Sequence, residues 1–238
     1  YFKKMKLKLE FVNKAPKVAK DNEIILAKDK SSKIKILKSS NKSLFSDKLF
    51  LEKKFLIKSA NDKNFIYVNC MNSKTSLDYE KLGSQLFIFL KNNKIENLIF
   101  ESNTSHLTNV QLEKFLHGAQ LKSYEFNVYK TNKKKNEMTN FYITGDKLKK
   151  SNALRNKLNS ILEGVFLTRD LVSEPGNILH PDEYAKRITK LRKFGLKVTV
   201  YDKKKLKKMG MNALLGVGQG SVRGSYLVTI EWNGSKNK

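Results

Sequence analysis

Residues 96–111 read ENLIFESNTSHLTNVQ. This stretch indicates the fold class, because a strand pattern ends in it and a helix pattern begins in it. Its apolar core, Leu98–Phe100, is flanked by polar residues, which indicates a short buried strand. Its last four residues have the T-x-x-Q form of a capping box, in which two side chains satisfy free backbone N–H groups at a helix start. We therefore predict a strand at Glu96–Glu101, followed by a helix from Thr108 to about Tyr129.

The alternation of strands and helices continues on both sides of this stretch. Leucines at helical spacing predict a helix from Thr75 or Ser76 to about Asn92. Further strands are predicted at Leu7–Phe11, Glu23–Ala27, Phe65–Cys70 and Thr139–Thr144. Clusters of lysine, serine and asparagine in residues 29–63, around the apolar pieces Ile34–Leu37 and Phe50–Ile57, indicate hairpin strands with loose connections. This order predicts an α/β sandwich with a largely parallel or mixed sheet.

A long helix is predicted to separate this region from the rest of the chain. Beyond the boundary at Gly145-Asp146, apolar residues recur at steps of four and three from Leu154 to Val172, which gives one apolar stripe along a helix. The helix has to end before Pro175, because the residue before a proline avoids the helical conformation. The sequence therefore predicts an amino-terminal α/β domain over residues 1–150 and a linking helix over residues 151–173.

A second α/β unit is predicted after a turn at residues 174–177. Pro181 suits the first position of a helix, and Asp182 and Glu183 complement the positive end of the helix dipole. The remaining predicted elements are a strand at Leu196–Tyr201, a short basic helix capped by Asp202 and ending at Lys208, and a final strand at Tyr226–Trp232.

The formal net charge of +26 raises nucleic acid as a partner. Only five of the 48 basic residues are arginines: Arg155, Arg169, Arg187, Arg192 and Arg223. Base and phosphate recognition favours the forked guanidinium of arginine, whereas the lysines here are scattered from end to end. A nucleic-acid-binding module is therefore an alternative that the composition does not favour.

The apolar runs and the cysteine content indicate a soluble protein of a reducing compartment. Runs such as Leu86–Leu90 are far too short to span a bilayer, so no membrane association is expected. The single cysteine, Cys70, cannot form an internal disulfide, and its apolar surroundings in the sequence predict a small buried thiol.

The residues by themselves show no catalytic or metal-binding motif. The sequence contains no H-E-x-x-H, no Cys or His pair at metal-ligand spacing, no Walker loop and no G-x-S-x-G elbow. The three histidines, His106, His117 and His180, are predicted to be structural or solvated. Residues 216–221 are rich in glycine but lack the spacing of a phosphate-binding loop, so we predict a tight turn there. Lysines 203–208 are predicted to be the solvated face of a short helix.

Three segments carry more specific information. Residues 117–130 read HGAQLKSYEFNVYK, residues 168–178 read TRDLVSEPGNI and residues 209–221 read MGMNALLGVGQGS. They resemble three segments of the M17 leucyl aminopeptidases: G-A-x-L-x-x-Y-x-F-x-x-Y-K, R-D-L-x-N-x-P-x-N and G-M-x-A-L-L-G-V-x-x-G-S. The order and approximate spacing are those of the family. Ser173 stands where an asparagine is usual, and Asn212 where a glycine is usual.

The resemblance implies a two-metal aminopeptidase that releases amino-terminal residues, often leucine, from peptides. Two divalent cations, manganese or zinc, would bind the substrate and activate a bridging water. The family's ligands come from motifs of the forms G-K-G-x-x-F-D-x-G-G and N-T-D-A-E-G-R-L, and neither form occurs in this sequence. We therefore assign no catalytic, cofactor-binding or metal-binding residue to this chain. We expect it to be a fragment that is inactive by itself.

The resemblance also implies an arrangement of domains and an assembly. Residues 1–150 are expected to be a macro-like domain that contributes to a homo-hexamer, residues 151–173 a linking helix, and residues 174–238 the start of an incomplete catalytic peptidase domain. A cytoplasmic location is implied. The final strand, with Val228, Ile230 and Trp232, is expected to expose apolar surface. The alternatives are a noncatalytic assembly module and a nucleic-acid-binding module that uses the lysine-rich surface.

Overall fold

The fold was analysed in a computed structural model, which describes residues 5–27, 52–60, 62–131 and 138–234. The strands are β1 (Leu7–Phe11), β2 (Asn22–Ala27), β3 (Phe55–Ala60), β4 (Lys63–Asn69), β5 (Asn97–Glu101), β6 (Thr139–Thr144), β7 (Lys197–Tyr201) and β8 (Leu227–Glu231). The α-helices are α1 (Ser76–Asn92), α2 (Asn109–Lys122), α3 (Asn152–Ser173), α4 (Pro181–Thr189), α5 (Lys203–Lys208) and α6 (Asn212–Gly218). Short 3-10 helices occur at Lys17–Ala19, Ser102–Thr104, Lys147–Ser151 and Lys190–Phe194.

The chain divides into two compact units, Tyr1–Thr168 and Arg169–Lys238. The division falls inside α3, close to its end. The predicted long helix is thus present. The predicted domain limits, at residues 150 and 173, stay a prediction.

A six-stranded mixed sheet forms the centre of the first unit. Its strand order is β1-β6-β5-β2-β4-β3, with β3 antiparallel to β4 and the other neighbouring pairs parallel. In register, Leu9 pairs with Phe141 of β6, which pairs with Leu98 of β5. The mixed α/β architecture predicted from the sequence is confirmed.

The main core of the first unit lies on one face of this sheet. Side chains from the central strands, among them Leu98, Phe100 and Phe141, are at most 1% exposed. They belong to one cluster with buried residues of α1 and α2, such as Leu86 and Phe115. Burying a side chain of this size contributes about 1.5–3 kcal/mol to stability, so this face supplies much of the free energy of folding of the unit.

Both helices on this face begin at capping boxes. At α1, Thr75 Oγ1 accepts from the backbone N–H of Asp78 at 3.2 Å, and Asp78 Oδ2 accepts from the backbone N–H of Thr75 at 2.8 Å. The hydrogen bonds that Asp78 Oδ2 accepts from the backbone N–H and the hydroxyl group of Thr75 lower the pKa of the Asp78 carboxyl. At α2, Thr108 and Gln111 make the equivalent pair of bonds, at 3.3 and 2.9 Å. The predicted starts of both helices are confirmed.

The predicted end of α2 is wrong. The sequence predicted a helix to about Tyr129, but α2 ends at Lys122. The backbone carbonyl of Ser123 accepts a hydrogen bond from the N–H of Lys6 at 2.9 Å, and Tyr124 forms an antiparallel bridge with Met5. The chain therefore leaves the helix to pair with the segment just before β1, a contact between residues far apart in sequence.

The region upstream of β4 is only partly covered by the described residues. Strand β3 pairs with β4 in an antiparallel hairpin, in agreement with the hairpins predicted for residues 29–63. The predicted apolar piece Ile34–Leu37 lies outside the described residues. Cys70 follows β4 directly and is 1% exposed, as predicted, and burial raises the pKa of its thiol to about 12.

The second unit contains the predicted elements and one that was not predicted. Strands β7 and β8 pair in an antiparallel two-stranded sheet. The glycine-rich residues 216–221 were predicted to be a tight turn, but Gly216–Gly218 form the last turn of α6. A Cβ at position 218 would lie 2.0 Å from Ser225 Oγ, so this hydroxyl would have to rotate away. The turn follows the helix.

Several apolar side chains of the second unit are exposed. Ile230 is 50% exposed and Trp232 is 68% exposed, as expected for the final strand, while Val228 is half-buried. Within the part of the chain that the structure describes, no helix has the length and apolar character needed to cross a membrane.

Candidate functional site

The structure places the three segments singled out in the sequence on different elements. Residues 117–130 contain the end of α2 and the bridge to Met5 in the first unit. Residues 168–178 contain the end of α3 and the turn after it, and residues 209–221 contain α6. Most of the second segment and all of the third lie in the second unit, Arg169–Lys238, and the polar side chains of this unit form the candidate site.

An arginine ties the turn after α3 to the first turn of α4. The backbone N–H groups of Ile178 and Leu179 both donate to the carbonyl of Pro175 at 2.9 Å. Arg187 Nη1 donates to Glu174 at 3.0 Å, and its Nε donates to Glu183 at 2.9 Å. The bond from Arg187 lowers the pKa of the Glu183 carboxyl, and the bonds to Glu183 and Glu174 raise the pKa of the guanidinium. The Arg187 guanidinium thus holds the turn by pairing with Glu174 before it and Glu183 after it.

Asp182 connects the start of α4 to the residue before β8. Its Oδ1 accepts a hydrogen bond from Tyr226 Oη at 2.7 Å, and its Oδ2 lies 3.2 Å from His180 Nδ1 and 4.0 Å from Arg223 Nη1. The bond from Tyr226 lowers the pKa of the Asp182 carboxyl most, and His180 and Arg223 lower it further. An ionised carboxylate is therefore favoured at this position.

His180 lies at the amino-terminal cap of α4. Its Nδ1 lies 3.5 Å from the backbone N–H nitrogen of Glu183, as well as 3.2 Å from Asp182. An unprotonated Nδ1 accepts from the N–H and a protonated one donates to the carboxylate, so only one of the two contacts is a hydrogen bond at a time. His106 is exposed, and His117 is buried in α2 of the first unit.

The side chains that the structure describes do not form a metal centre. Among residues 5–27, 52–60, 62–131 and 138–234, no group of three or more His, Cys, Asp and Glu side chains could hold a metal ion. This donor set does not match the two-metal centre that the resemblance implies. The prediction that this chain supplies no catalytic, cofactor-binding or metal-binding residue stays a prediction.

The link between Tyr226 and Asp182 has a measurable consequence. In Tyr226→Phe the phenol no longer donates to Asp182, so the pKa of the Asp182 carboxyl is expected to move upward toward its ordinary value. The measurement is a carboxyl ¹³C titration by NMR of the parent and the variant. Tyr201→Phe, in β7, is the matched control and should leave the titration of Asp182 unchanged. An unchanged pKa in Tyr226→Phe would show that the hydrogen bond does not form in solution.

Comparisons with known proteins find the same family that the three segments resemble. Residues 166–238 match the family model described as the cytosol aminopeptidase family, catalytic domain. A probable cytosol aminopeptidase of Phytoplasma mali (strain AT) is 39% identical over 194 residues, which are 78% of this chain and 39% of that protein. A probable cytosol aminopeptidase of Nitrobacter hamburgensis is 35% identical over 164 residues, which are 67% of this chain and 33% of that protein. The chain belongs to the M17 cytosol aminopeptidase family.

Solved structures show the same fold as this member of the cytosol aminopeptidase family. A mutant of tomato leucine aminopeptidase superposes with a TM-score of 0.72 at 19% identity, over 96% of this chain and 51% of that one. The bottromycin maturation enzyme BotP in complex with Mn superposes with a TM-score of 0.65 at 17% identity, over 90% of this chain and 46% of that one. At these identities the likeness shows the fold alone. The chain spans well under half the length of the two curated relatives above.

Proposed function

We propose that this chain is part of a metal-dependent aminopeptidase that releases amino-terminal residues, leucine among them, from peptides. The observation that carries the proposal is the match of residues 166–238 to the catalytic domain of the cytosol aminopeptidase family. The names of the curated relatives support it. Because the chain spans 39% and 33% of these relatives, the activity is proposed for a protein that also contains the parts they have beyond the matched region.

The metal ligands are proposed to lie outside the described residues of this chain. The described side chains contain no group of three metal-binding residues, and the two family motifs that carry such ligands do not occur in the sequence. Two divalent ions, manganese or zinc, are proposed for the complete protein. The Mn complex of the bottromycin maturation enzyme, which has the same fold over 90% of this chain, supports a metal requirement. This chain alone is expected to be inactive.

The described part of the second unit is proposed to form the start of the catalytic domain, and its role is proposed to be structural. Arg187 fixes the turn between α3 and α4, and Asp182 fixes α4 to the start of β8. On the resemblance we also propose a homo-hexamer, and the relatives' names support a cytoplasmic location. The findings give no support to the alternatives of an assembly module or a nucleic-acid-binding module.

The test is to sequence the reading frame past Lys238 and to assay the resulting product on leucyl p-nitroanilide with added manganese or zinc. Activity of the longer product that a chelator abolishes is expected, with the 238-residue chain as the inactive control. The proposal fails if the longer product contains the family's lysine, aspartate and glutamate motifs and is nevertheless inactive with both metals. It also fails if no such motifs follow.

A further inference from the structure

The first unit contains a cavity of about 370 Å³, and most of its lining residues come from β1, α2 and α3. This volume is within the range of small-molecule sites in proteins. The apolar part of its wall is formed by Leu7, Leu9 and Phe11 of β1 and by Leu158 of α3. The cavity lies outside residues 166–238, which match the catalytic domain, so a ligand here goes beyond the proposed function.

The second feature of the cavity is a buried histidine in its wall, one of whose ring nitrogens has no hydrogen-bond partner among the described residues. His117 is 3% exposed, and its Nδ1 has no hydrogen-bond partner among the residues that the structure describes. Burial lowers the pKa of this imidazole, which favours the neutral ring at pH 7. Buried polar atoms in folded proteins nearly always have a partner, so this nitrogen indicates a group that is bound in the cavity.

A carboxylate one helical turn away provides a second polar group. Glu113 is 3% exposed, and its Oε1 accepts from Ser151 Oγ at 2.5 Å and from Arg155 Nε and Nη2 at 3.0 and 2.6 Å. Within the described ranges, no hydrogen bond reaches its other oxygen, Oε2. Residues four apart on a helix lie on the same face, so Glu113 and His117 border the cavity together.

The charges in the wall decide which kind of molecule fits. The Arg155 guanidinium pairs with Glu113, and Lys8, which also lines the cavity, lies 3.0 Å from Glu10. Each of these charges already has a partner of opposite sign, so a charged ligand would find no unpaired charge there. The Glu113 carboxylate only accepts hydrogen bonds, so a hydroxyl group that donates to its Oε2 can at the same time accept from the tautomer of His117 that carries its proton on Nδ1. We propose that this cavity binds a small, uncharged, mostly apolar molecule whose hydroxyl group donates to Glu113 Oε2 and accepts from His117 Nδ1–H.

The first test compares two probes that differ only in the hydroxyl. 4-Propylphenol is titrated into the ¹⁵N-labelled 238-residue chain, and the imidazole nitrogens of the three histidines are observed by NMR. We expect saturable binding that moves the Nδ1 resonance of His117. 4-Propylanisole, in which a methoxy group replaces the hydroxyl, is expected to bind about tenfold more weakly, since it cannot donate a hydrogen bond. Equal affinities for the two probes, or no binding at millimolar concentration, overturn the proposal.

Two variants locate the site, and a third is the matched control. Leu158→Phe places a larger side chain in the wall and is expected to abolish binding of 4-propylphenol. His117→Gln removes the ring nitrogen and is expected to reduce the affinity about tenfold. His106→Gln changes an exposed histidine and should leave the affinity unchanged. Binding that survives both Leu158→Phe and His117→Gln lies elsewhere and overturns the proposal, as does binding that leaves the His117 resonance in place.

Discussion

Replacement of Arg155 with methionine is expected to destabilise the first unit by about 3–5 kcal/mol, because the carboxylate of Glu113 then stays buried without its partner. The side chain of Glu113 is 3% exposed and that of Arg155 is 17% exposed. Arg155 donates to Glu113 through two nitrogens and also to the carbonyl of Leu148. The Arg155 guanidinium also lies over the Phe11 ring, with its Cζ 3.8 Å from the ring centroid, and methionine keeps only the apolar stem. The free energy of unfolding is measured from amide hydrogen exchange in β5 and β6.

An exposed ion pair in the same unit is the matched control for this change. Lys149 and Asp146 lie 2.7 Å apart, but their side chains are 57% and 77% exposed. Lys149→Met is expected to change stability by less than about 1 kcal/mol, because water screens such pairs. Adding Glu113→Gln to Arg155→Met is expected to recover part of the loss, since it removes the unpaired charge. If Arg155→Met costs no more than Lys149→Met, the buried pair is not formed as described.

Local chemistry explains why much of the fold could be predicted from the sequence. The starts of α1 and α2 depend on side chains three residues apart, Thr75 with Asp78 and Thr108 with Gln111. The stop of α3 before Pro175 depends on the proline itself. In each case the residues that determine the structure are neighbours in the sequence, so the pattern can be recognised without the fold.

Contacts between distant residues explain what could not be predicted. The end of α2 depends on Lys6, which pairs with Ser123, and the sheet order places β1 beside β6. Two polar contacts also join residues that are far apart in sequence. Arg155 and Glu113, in the wall of the cavity, are 42 positions apart, and Tyr226 and Asp182, in the second unit, are 44 positions apart.

One contact of the second unit could have been recognised. Glu183 and Arg187 are four residues apart on a predicted helix, the spacing at which opposite charges on a helix interact. Their partner Glu174 is 13 residues away from Arg187, on the other side of the turn, and gives no such signal. The sequence thus contained half of the contact that fixes this turn.

Replacement of Gly118 with alanine is expected to destabilise the first unit by about 3 kcal/mol, at the upper end of what overpacking usually costs. A Cβ at position 118 would lie 1.8 Å from the backbone carbonyl oxygen of Glu80 in α1. The reciprocal contact is equally close, because a Cβ at Gly83 of α1 would lie 1.8 Å from the carbonyl oxygen of Phe115 in α2. Both obstacles are backbone atoms in helices, so no side chain can rotate away and the two helices have to separate. Amide hydrogen exchange in β5 and β6 measures the loss.

The same substitution at Gly164 of α3 separates this packing effect from helix propensity. Position 164 is exposed, and a Cβ there would meet nothing within 4 Å. Alanine is favoured over glycine inside a helix, so Gly164→Ala is expected to stabilise the unit by about 0.5–1 kcal/mol. A loss at Gly118 together with a gain at Gly164 assigns the glycine of the segment HGAQLKSYEFNVYK to the close approach of two helices. A gain at both positions would mean that α1 and α2 pack less closely than the structure shows, and the role of this glycine would then have to be sought elsewhere.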